Sequence, residues 1–253
     1  MIDVLVVGAK GRMGALTAAT VGAQPDMNLV ALVDPAFAAG EPAPAAAFTS
    51  VAEALHATRP AVAVEFSTPA SVFENARLLL QAGVHTVVGA TGLSAAHVAE
   101  LAQTARSGVA NLLVAPNFSL GAVLLMRFAR EAARHYERAE IVELHHEGKT
   151  DAPSGTALRT AALMSEVAGA HLRSAPAPQA PSRGLAHGAV QIHSVRLPGL
   201  VAHQEVLFGG DGELLTLRHD SLSRDSFMPG VLLAVRGVAL LDEVTVGLEN
   251  LLD

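Results

Sequence analysis

Val4-Leu5-Val6-Val7-Gly8-Ala9-Lys10-Gly11-Arg12-Met13-Gly14 is the stretch that decides the fold. Its four apolar residues, three of them β-branched, are too few for a helix and are closed by glycine, which reads as a buried strand. Gly8, Gly11 and Gly14 permit a tight turn and close approach of a bound group to the backbone, and the residues around Met13 open a helix. Strand, glycine turn and helix start in that order form a phosphate cradle, because the first amides of a helix and its dipole favour negative charge. The spacing is G-x-x-G-x-x-G, which departs from the commoner G-x-G-x-x-G. Asp34 supplies the second half of the signal. It lies 20 positions beyond Gly14, at the end of the apolar run Leu29–Val33, where the carboxylate that binds a dinucleotide's ribose belongs.

A carboxylate accepts from an unphosphorylated ribose and repels a 2′-phosphate. Pro35 follows Asp34, so no arginine stands there to compensate. Lys10 and Arg12 sit on the cradle and are expected to face the pyrophosphate or the substrate side. The expected cofactor is therefore NADH or NADPH, with NADH at least as good.

Outward from the cradle, the chain to about Val114 alternates short apolar runs with alanine- and leucine-rich stretches. The runs Ala61–Phe66, His85–Val88 and Leu112–Val114 read as further strands. Helices are predicted at Met13–Val21, Val51–Ala57, Ala70–Gln81 and Ser94–Arg106, with Ser94 as an N-cap and Gly83 and Gly108 as stops. This alternation is the βαβ pattern of a parallel sheet, hence an N-terminal Rossmann dinucleotide-binding domain. Ligands of such sheets lie beyond the carboxyl ends of the strands. The turns there are Phe66-Ser67-Thr68-Pro69, Gly89-Ala90-Thr91-Gly92 and Ala115-Pro116-Asn117-Phe118. The cofactor-binding set is then Gly8, Lys10, Gly11, Arg12, Met13, Gly14, Asp34, Phe66, Ser67, Thr68, Gly89, Thr91, Ala115, Asn117 and Phe118.

The second half changes character. A long helix over Leu120–Glu137 leads to a strand at Glu140–His146, and another helix opens at Ser154. Ser174–Pro181 is proline-rich and reads as an exposed loop. Strands follow at Ala189–Arg196, His203–Phe208 and Glu213–His219, the last two joined by Gly209-Gly210-Asp211-Gly212. Neighbouring strands without intervening helices indicate a second domain of α+β type. A final helix, Met228–Leu240, returns to the first domain. The fold class is α/β, with domain one at 1–117 and 227–253 and domain two at 118–226.

Composition narrows the function classes. With 253 residues, 51% hydrophobic and 16% charged, the chain has ample material for packed cores. Its 24 Asp and Glu exceed 17 Lys and Arg, and a net charge of -7 has the wrong sign for coating nucleic acid or an anionic membrane. Zero cysteines exclude disulfides, thiolate nucleophiles and Cys-based metal sites. A cytoplasmic location is the default. No signal peptide is evident at the start, and no apolar run reaches the ~18–20 residues of a membrane helix. No HExxH or comparable metal spacing occurs, so no metal is expected.

Glu143-Leu144-His145-His146-Glu147-Gly148-Lys149-Thr150-Asp151-Ala152-Pro153-Ser154-Gly155-Thr156-Ala157 concentrates ionisable groups at a strand end. Strand alternation sets His145 and His146 on opposite faces, which argues against a two-histidine metal clamp. Pro153 to Thr156 reads as a helix start whose amides and hydroxyls suit a carboxylate. Lys149 offers a compensating charge. Histidine and lysine can deliver a proton near neutral pH when suitably tuned. Beside a dinucleotide domain this suggests reduction of a small carboxylated substrate. A polar surface loop with Ser154 capping its own helix, another Rossmann oxidoreductase acting on a small dicarboxylate, and a non-catalytic NAD(P)-sensing protein remain open alternatives.

The chain resembles the dihydrodipicolinate reductase family over nearly its whole length. The resemblance rests on Val7–Gly14, Phe66-Ser67-Thr68-Pro69, Gly89-Ala90-Thr91-Gly92, Ala115–Ser119 and above all Glu143–His146 through Asp151–Ala157. It implies His145 as proton donor, Lys149 as its catalytic partner and His146 as a substrate contact. Ser154, Gly155 and Thr156 become the substrate-carboxylate site. It further implies a dicarboxylate substrate, hydride transfer to its C4, a homotetramer joined through the second domain, and a place in lysine and diaminopimelate biosynthesis. Between His146 and Lys149 stand Glu147 and Gly148, where many members carry basic residues, so local positive charge is lower here.

Overall fold

The structure, a computed structural model, describes residues 1–168, 171–173 and 180–252. Its first elements are β1 (Ile2–Val7), α1 (Arg12–Gly22), β2 (Met27–Val33), β3 (Ala46–Phe48), α2 (Val51–Ala57), β4 (Val62–Glu65), α3 (Val72–Gln81), β5 (His85–Val88), α4 (Ala95–Arg106) and β6 (Leu112–Val114). The alternation arises locally. Strand runs of Val, Ala and Leu have no polar face, so they are stable only when covered on both sides. Polar starts punctuate the helices: Ser50 accepts from the Glu53 amide at 3.3 Å. Ser94 and His97 close a reciprocal capping box.

A second set of elements follows: α5 (Leu120–Ala132), β7 (Arg138–His145), α6 (Gly155–Ala168), β8 (Leu185–His187), β9 (Val190–Arg196), β10 (Ala202–Gly210) and β11 (Glu213–Ser221). They form a mixed sheet in the order β11-β10-β7-β9-β8, in which only β7 and β9 run parallel among the described pairs. Alternate residues of the strands, Ile141, Ile192, Val206 and Phe208, pack against Leu125, Ala129, Ala157, Ala161 and Met164 of α5 and α6. The helix predicted to reach Glu137 ends at Ala132. There the Arg134 and His135 amides bond back only three residues, to Glu131 and Ala132, and this tightened turn delivers the chain to β7. For residues 174–179, the proline-rich segment read as a loop lies outside the described residues.

The chain then returns. α7 (Met228–Gly237) and β12 (Val244–Val246) complete a seven-stranded sheet, ordered β12-β6-β5-β4-β1-β2-β3 and parallel throughout. The order reverses between β1 and β4, and that reversal opens a crevice at the strands' carboxyl ends. β4 is buried along its whole length. Leu5, Val7, Ala31, Val33, Ala63 and Leu79 form one of the covering cores, and Val72, Leu80, Val88, Leu101 and Leu112 another. By contacts the chain divides into Met1–Phe118 with Phe227–Asp253, and Ser119–Ser226. No helix among the described residues is long and apolar enough to cross a membrane.

Candidate active site

The cradle sits where β1 meets the crevice. Gly8 has φ +74°, and a Cβ on it would lie 2.5 Å from the Phe66 carbonyl oxygen. On Gly14 a Cβ would lie 2.0 Å from the Gly8 carbonyl oxygen, so both positions exclude any side chain. Gly11, the N-cap of α1, offers no capping side chain, and no acidic residue stands in the first turn. The helix start is therefore left to an external anion, and it fits a pyrophosphate. Lys10, Gly11 and Arg12 are exposed, Met13 is half-buried, and Gly8 and Gly14 are buried.

Asp34 is half-buried at the end of β2. Its Oδ2 accepts from the Lys10 amide at 3.0 Å and its Oδ1 from the Ala36 amide at 3.0 Å. These bonds fix the carboxylate while leaving each oxygen a further acceptor position. The Lys10 side chain is held by the loop after β2. Its Nζ donates to the Ala36 carbonyl at 2.9 Å and to Glu41 at 2.8 Å, and it lies 5.0 Å from the Phe37 ring centroid.

The turns after β4, β5 and β6 meet one another. The Phe66 and Phe118 rings stand edge to face, centroids 5.5 Å apart. Gly89 lies under both, for a Cβ there would fall 2.2 Å from the Phe66 ring. Ser67, Gly89 and Asn117 are half-buried, Thr68 and Thr91 are exposed, and Ala115 and Phe118 are buried. Glu65, at the end of β4, is missing from the sequence-derived set. It is fully buried. Its Oε1 accepts from the Ser67 amide and from Asn75 Nδ2, both at 3.2 Å. Its Oε2 has no hydrogen-bond partner among the described residues. Burial pushes this carboxyl above the usual carboxylate range, against the opposing bonds from Ser67 and Asn75.

The acid-base cluster is built on the last residues of β7. Glu143 and His145 are two apart, so they share a face of the strand. His145 Nδ1 lies 2.5 Å from Glu143 Oε2. Arg196, beside His145 in the β7–β9 register, grips the same carboxylate in bidentate fashion at 3.0 and 2.7 Å. The Ser154 amide donates to Glu143 Oε1 at 3.2 Å. Burial works to raise the Glu143 pKa, but hydrogen bonds from His145, Arg196 and Ser194 prevail and hold it at about 2. Facing an ionised carboxylate, His145 Nδ1 carries the hydrogen, an assignment made from the bonding network. Nε2 is then the nitrogen left to exchange a proton.

Past the strand, His146 is exposed and the Lys149 amide bonds to the His146 carbonyl at 3.1 Å. Lys149 Nζ pairs with Asp151 at 2.8 Å, and this bond holds the Asp151 carboxyl below its ordinary range. Ser154 is buried and its Oγ accepts from the Ala157 amide at 3.2 Å, capping α6. A Cβ on Gly155 would meet nothing within 4 Å, so the approach to the helix start there is open. Thr156, next along, is half-buried. The structure thus brings His145, Lys149 and the Ser154–Thr156 start onto connected segments of one unit. Sequence reasoning did not bring Glu143 and Arg196 together with His145. The i, i+2 spacing of Glu143 and His145 was a visible signal, whereas Arg196 emerges only from strand register. No cluster of three or more potential metal ligands occurs among the described residues.

A parallel dinucleotide sheet with its cradle, together with a separate mixed sheet carrying a histidine-lysine site, defines an NAD(P)H-dependent oxidoreductase of two units. Residues 2–118 match the family description "Dihydrodipicolinate reductase, N-terminus" and residues 121–252 match "Dihydrodipicolinate reductase, C-terminus". The chain belongs to the dihydrodipicolinate reductase family. It is 45% identical to the 4-hydroxy-tetrahydrodipicolinate reductase of Moorella thermoacetica over 262 aligned positions, covering 100% of this chain and 98% of that one. Identity to the enzyme of the same name from Streptococcus pneumoniae serotype 19F is 47% over 254 positions, covering 99% of each. Among solved structures, the dipicolinate-bound dihydrodipicolinate reductase from Paenisporosarcina sp. TG-14 superposes with a TM-score of 0.88 at 40% identity, covering 99% of both chains.

Proposed function

We propose that this chain is a 4-hydroxy-tetrahydrodipicolinate reductase, which uses NAD(P)H to form tetrahydrodipicolinate on the route to diaminopimelate and lysine. The observation that carries the reading is the Glu143-anchored His145, with Lys149 four positions on and the Ser154–Thr156 helix start beside it. The nicotinamide, when bound, supplies the hydride. The cradle Gly8–Gly14 and Asp34 would hold its pyrophosphate and ribose, and the turns at Phe66–Thr68, Gly89–Thr91 and Ala115–Phe118 would border the remainder.

In the substrate unit, the amides of Gly155 and Thr156 and the Thr156 hydroxyl receive one carboxylate, aided by the positive end of α6. Lys149 neutralises developing negative charge, and His146 contacts substrate from the strand end. His145 delivers a proton from Nε2 to the enamine carbon formed when hydride adds at C4 of the dehydrated substrate. The hydride and this proton together account for reduction of one double bond.

The same reading includes domains at 1–117 with 227–253 and at 118–226, a homotetramer joined through the mixed sheet, a cytoplasmic setting, and NADH used at least as well as NADPH. A coupled assay tests the assignment: a synthase supplies substrate from pyruvate and aspartate semialdehyde while nicotinamide absorbance is followed. Enzyme-dependent oxidation of NADH or NADPH is expected, and pyridine-2,6-dicarboxylate should compete with substrate. Absence of turnover with both cofactors, in folded protein, would falsify the assignment.

A further inference from the structure

We infer that Glu143, with Arg196 as its fixed counter-charge, is a positioning residue that sets the tautomer of His145 and aims the carboxylate-binding start of α6. This rests on the reading of His145 as proton donor and extends it to two residues that do not themselves meet substrate.

Arg196, His145, the Ser154 amide and Ser194 all donate to one carboxylate that is fully buried, and together they hold it in a single orientation. Those donors belong to separate segments, namely β7, β9 and the turn before α6. Arg196 Nη2 also donates to the Asp151 carbonyl at 2.7 Å, which ties the Lys149–Asp151 turn to the same centre. A movement of Glu143 would therefore misplace the imidazole and the helix start together.

Arg196 has a separate electrostatic task. Its two nitrogens on the Glu143 oxygens, at 3.0 and 2.7 Å, match the buried negative charge within the protein. The charged groups around Glu143 are His145 on its own strand, Arg196 on β9 and, in the turn before α6, Asp151 with its partner Lys149.

Histidine ¹⁵N NMR on the intact protein reads the tautomer directly, with the His145 signal assigned by its disappearance in His145→Gln. In the wild type, neutral His145 is expected to carry its hydrogen on Nδ1. Glu143→Gln should give a mixed or reversed tautomer, with kcat lower by at least about 10-fold and KM for substrate raised as the Ser154 anchor weakens. Since Glu143→Gln strands the Arg196 charge, the paired variant E143Q/R196M, which removes both charges, keeps the test open should the single variant not fold. It is expected to lose the tautomer preference and activity in the same way. A wild-type His145 protonated on Nε2 when neutral, or a folded variant with unchanged tautomer, kcat and KM, would overturn the inference. Absence of reductase turnover in the wild type would instead sink the functional reading, while the tautomer measurement still decides the role of Glu143.

Discussion

Gly14 and Gly8 are in backbone contact: a Cβ on Gly14 would lie 2.0 Å from the Gly8 carbonyl oxygen. That clash is with main chain and has no rotamer to relieve it. Gly14→Ala should therefore push α1 off β1, lowering stability by about 1–3 kcal/mol and weakening cofactor binding at least tenfold. Gly22, in the last turn of the same helix, has nothing within 4 Å of its Cβ position. Gly22→Ala should be neutral or slightly stabilising, since alanine is the better helix former. Thermal melts and a fluorescence titration with NADH check both variants.

The proton-transfer pair gives a second expectation. His145→Gln or Lys149→Ala should lower kcat by about 10²- to 10⁴-fold, the usual contribution of a positioned acid or of charge stabilisation. Cofactor affinity should be retained, because the cradle belongs to the other unit. Steady-state kinetics with an NADH titration decide it, and near-full kcat in either variant would remove that residue from the mechanism.

Cofactor choice turns on Asp34 and on the Lys10–Glu41 pair, 2.8 Å apart. A 2′-phosphate would meet the Asp34 carboxylate, while the nearest ammonium is already matched by Glu41. NADH should be favoured or equal, by up to roughly tenfold or 1.4 kcal/mol. Asp34→Ser with Pro35→Arg should shift kcat/KM toward NADPH. Glu41→Gln should shift it the same way by releasing Lys10, and a clear NADPH preference in the unmodified chain would mean Lys10 or Arg12 already outweighs Asp34.

Two buried carboxyls pull the pH dependence of stability in opposite directions. Glu143, held at about 2 against an ordinary 4.5, stabilises the fold above pH 4.5 and loses that contribution as pH falls through 2. The difference corresponds to roughly 3 kcal/mol at 1.36 kcal/mol per unit. Glu65 is raised above 4.5 by burial. Its contribution is fully present below pH 4.5 and is lost as pH rises through the raised value. Glu65→Gln should therefore flatten the loss of stability on the alkaline side, and E143Q/R196M the loss on the acid side. Melting temperatures from pH 3 to 8, compared with wild type, test both signs.

Much of this was legible in the sequence because it is local. The strand Val4–Val7, its glycine cradle, the Ser94 cap and the Ser154 helix start all follow from neighbours within a few residues. Three strands were missed, Ala46–Phe48, Leu185–His187 and Val244–Val246: unlike the equally short Leu112–Val114, none of them has a buried residue, so none carries the apolar run that marks a core strand. The partners of Lys10 were hidden for a different reason: Glu41 and Phe37 are about thirty positions away and meet it only after β2 is paired. Arg196 lies 53 positions from Glu143, and register alone brings them together.

β12 pairs with β6 across the whole intervening second unit. During synthesis the exposed edge of β6 must wait while about 130 further residues are made, roughly 7–26 s at 5–20 residues per second. Asn111 Nδ2, which bonds the carbonyls of Val238, Ala239 and Leu241 at 3.2, 3.3 and 2.6 Å, waits with it. Throughout that interval the nascent first unit carries an open parallel edge, the kind of surface that recruits other chains. When Val244–Val246 finally pairs, the edge passes from β6 to a strand of only three residues, so the time for which β6 itself lies open is set by ribosome speed.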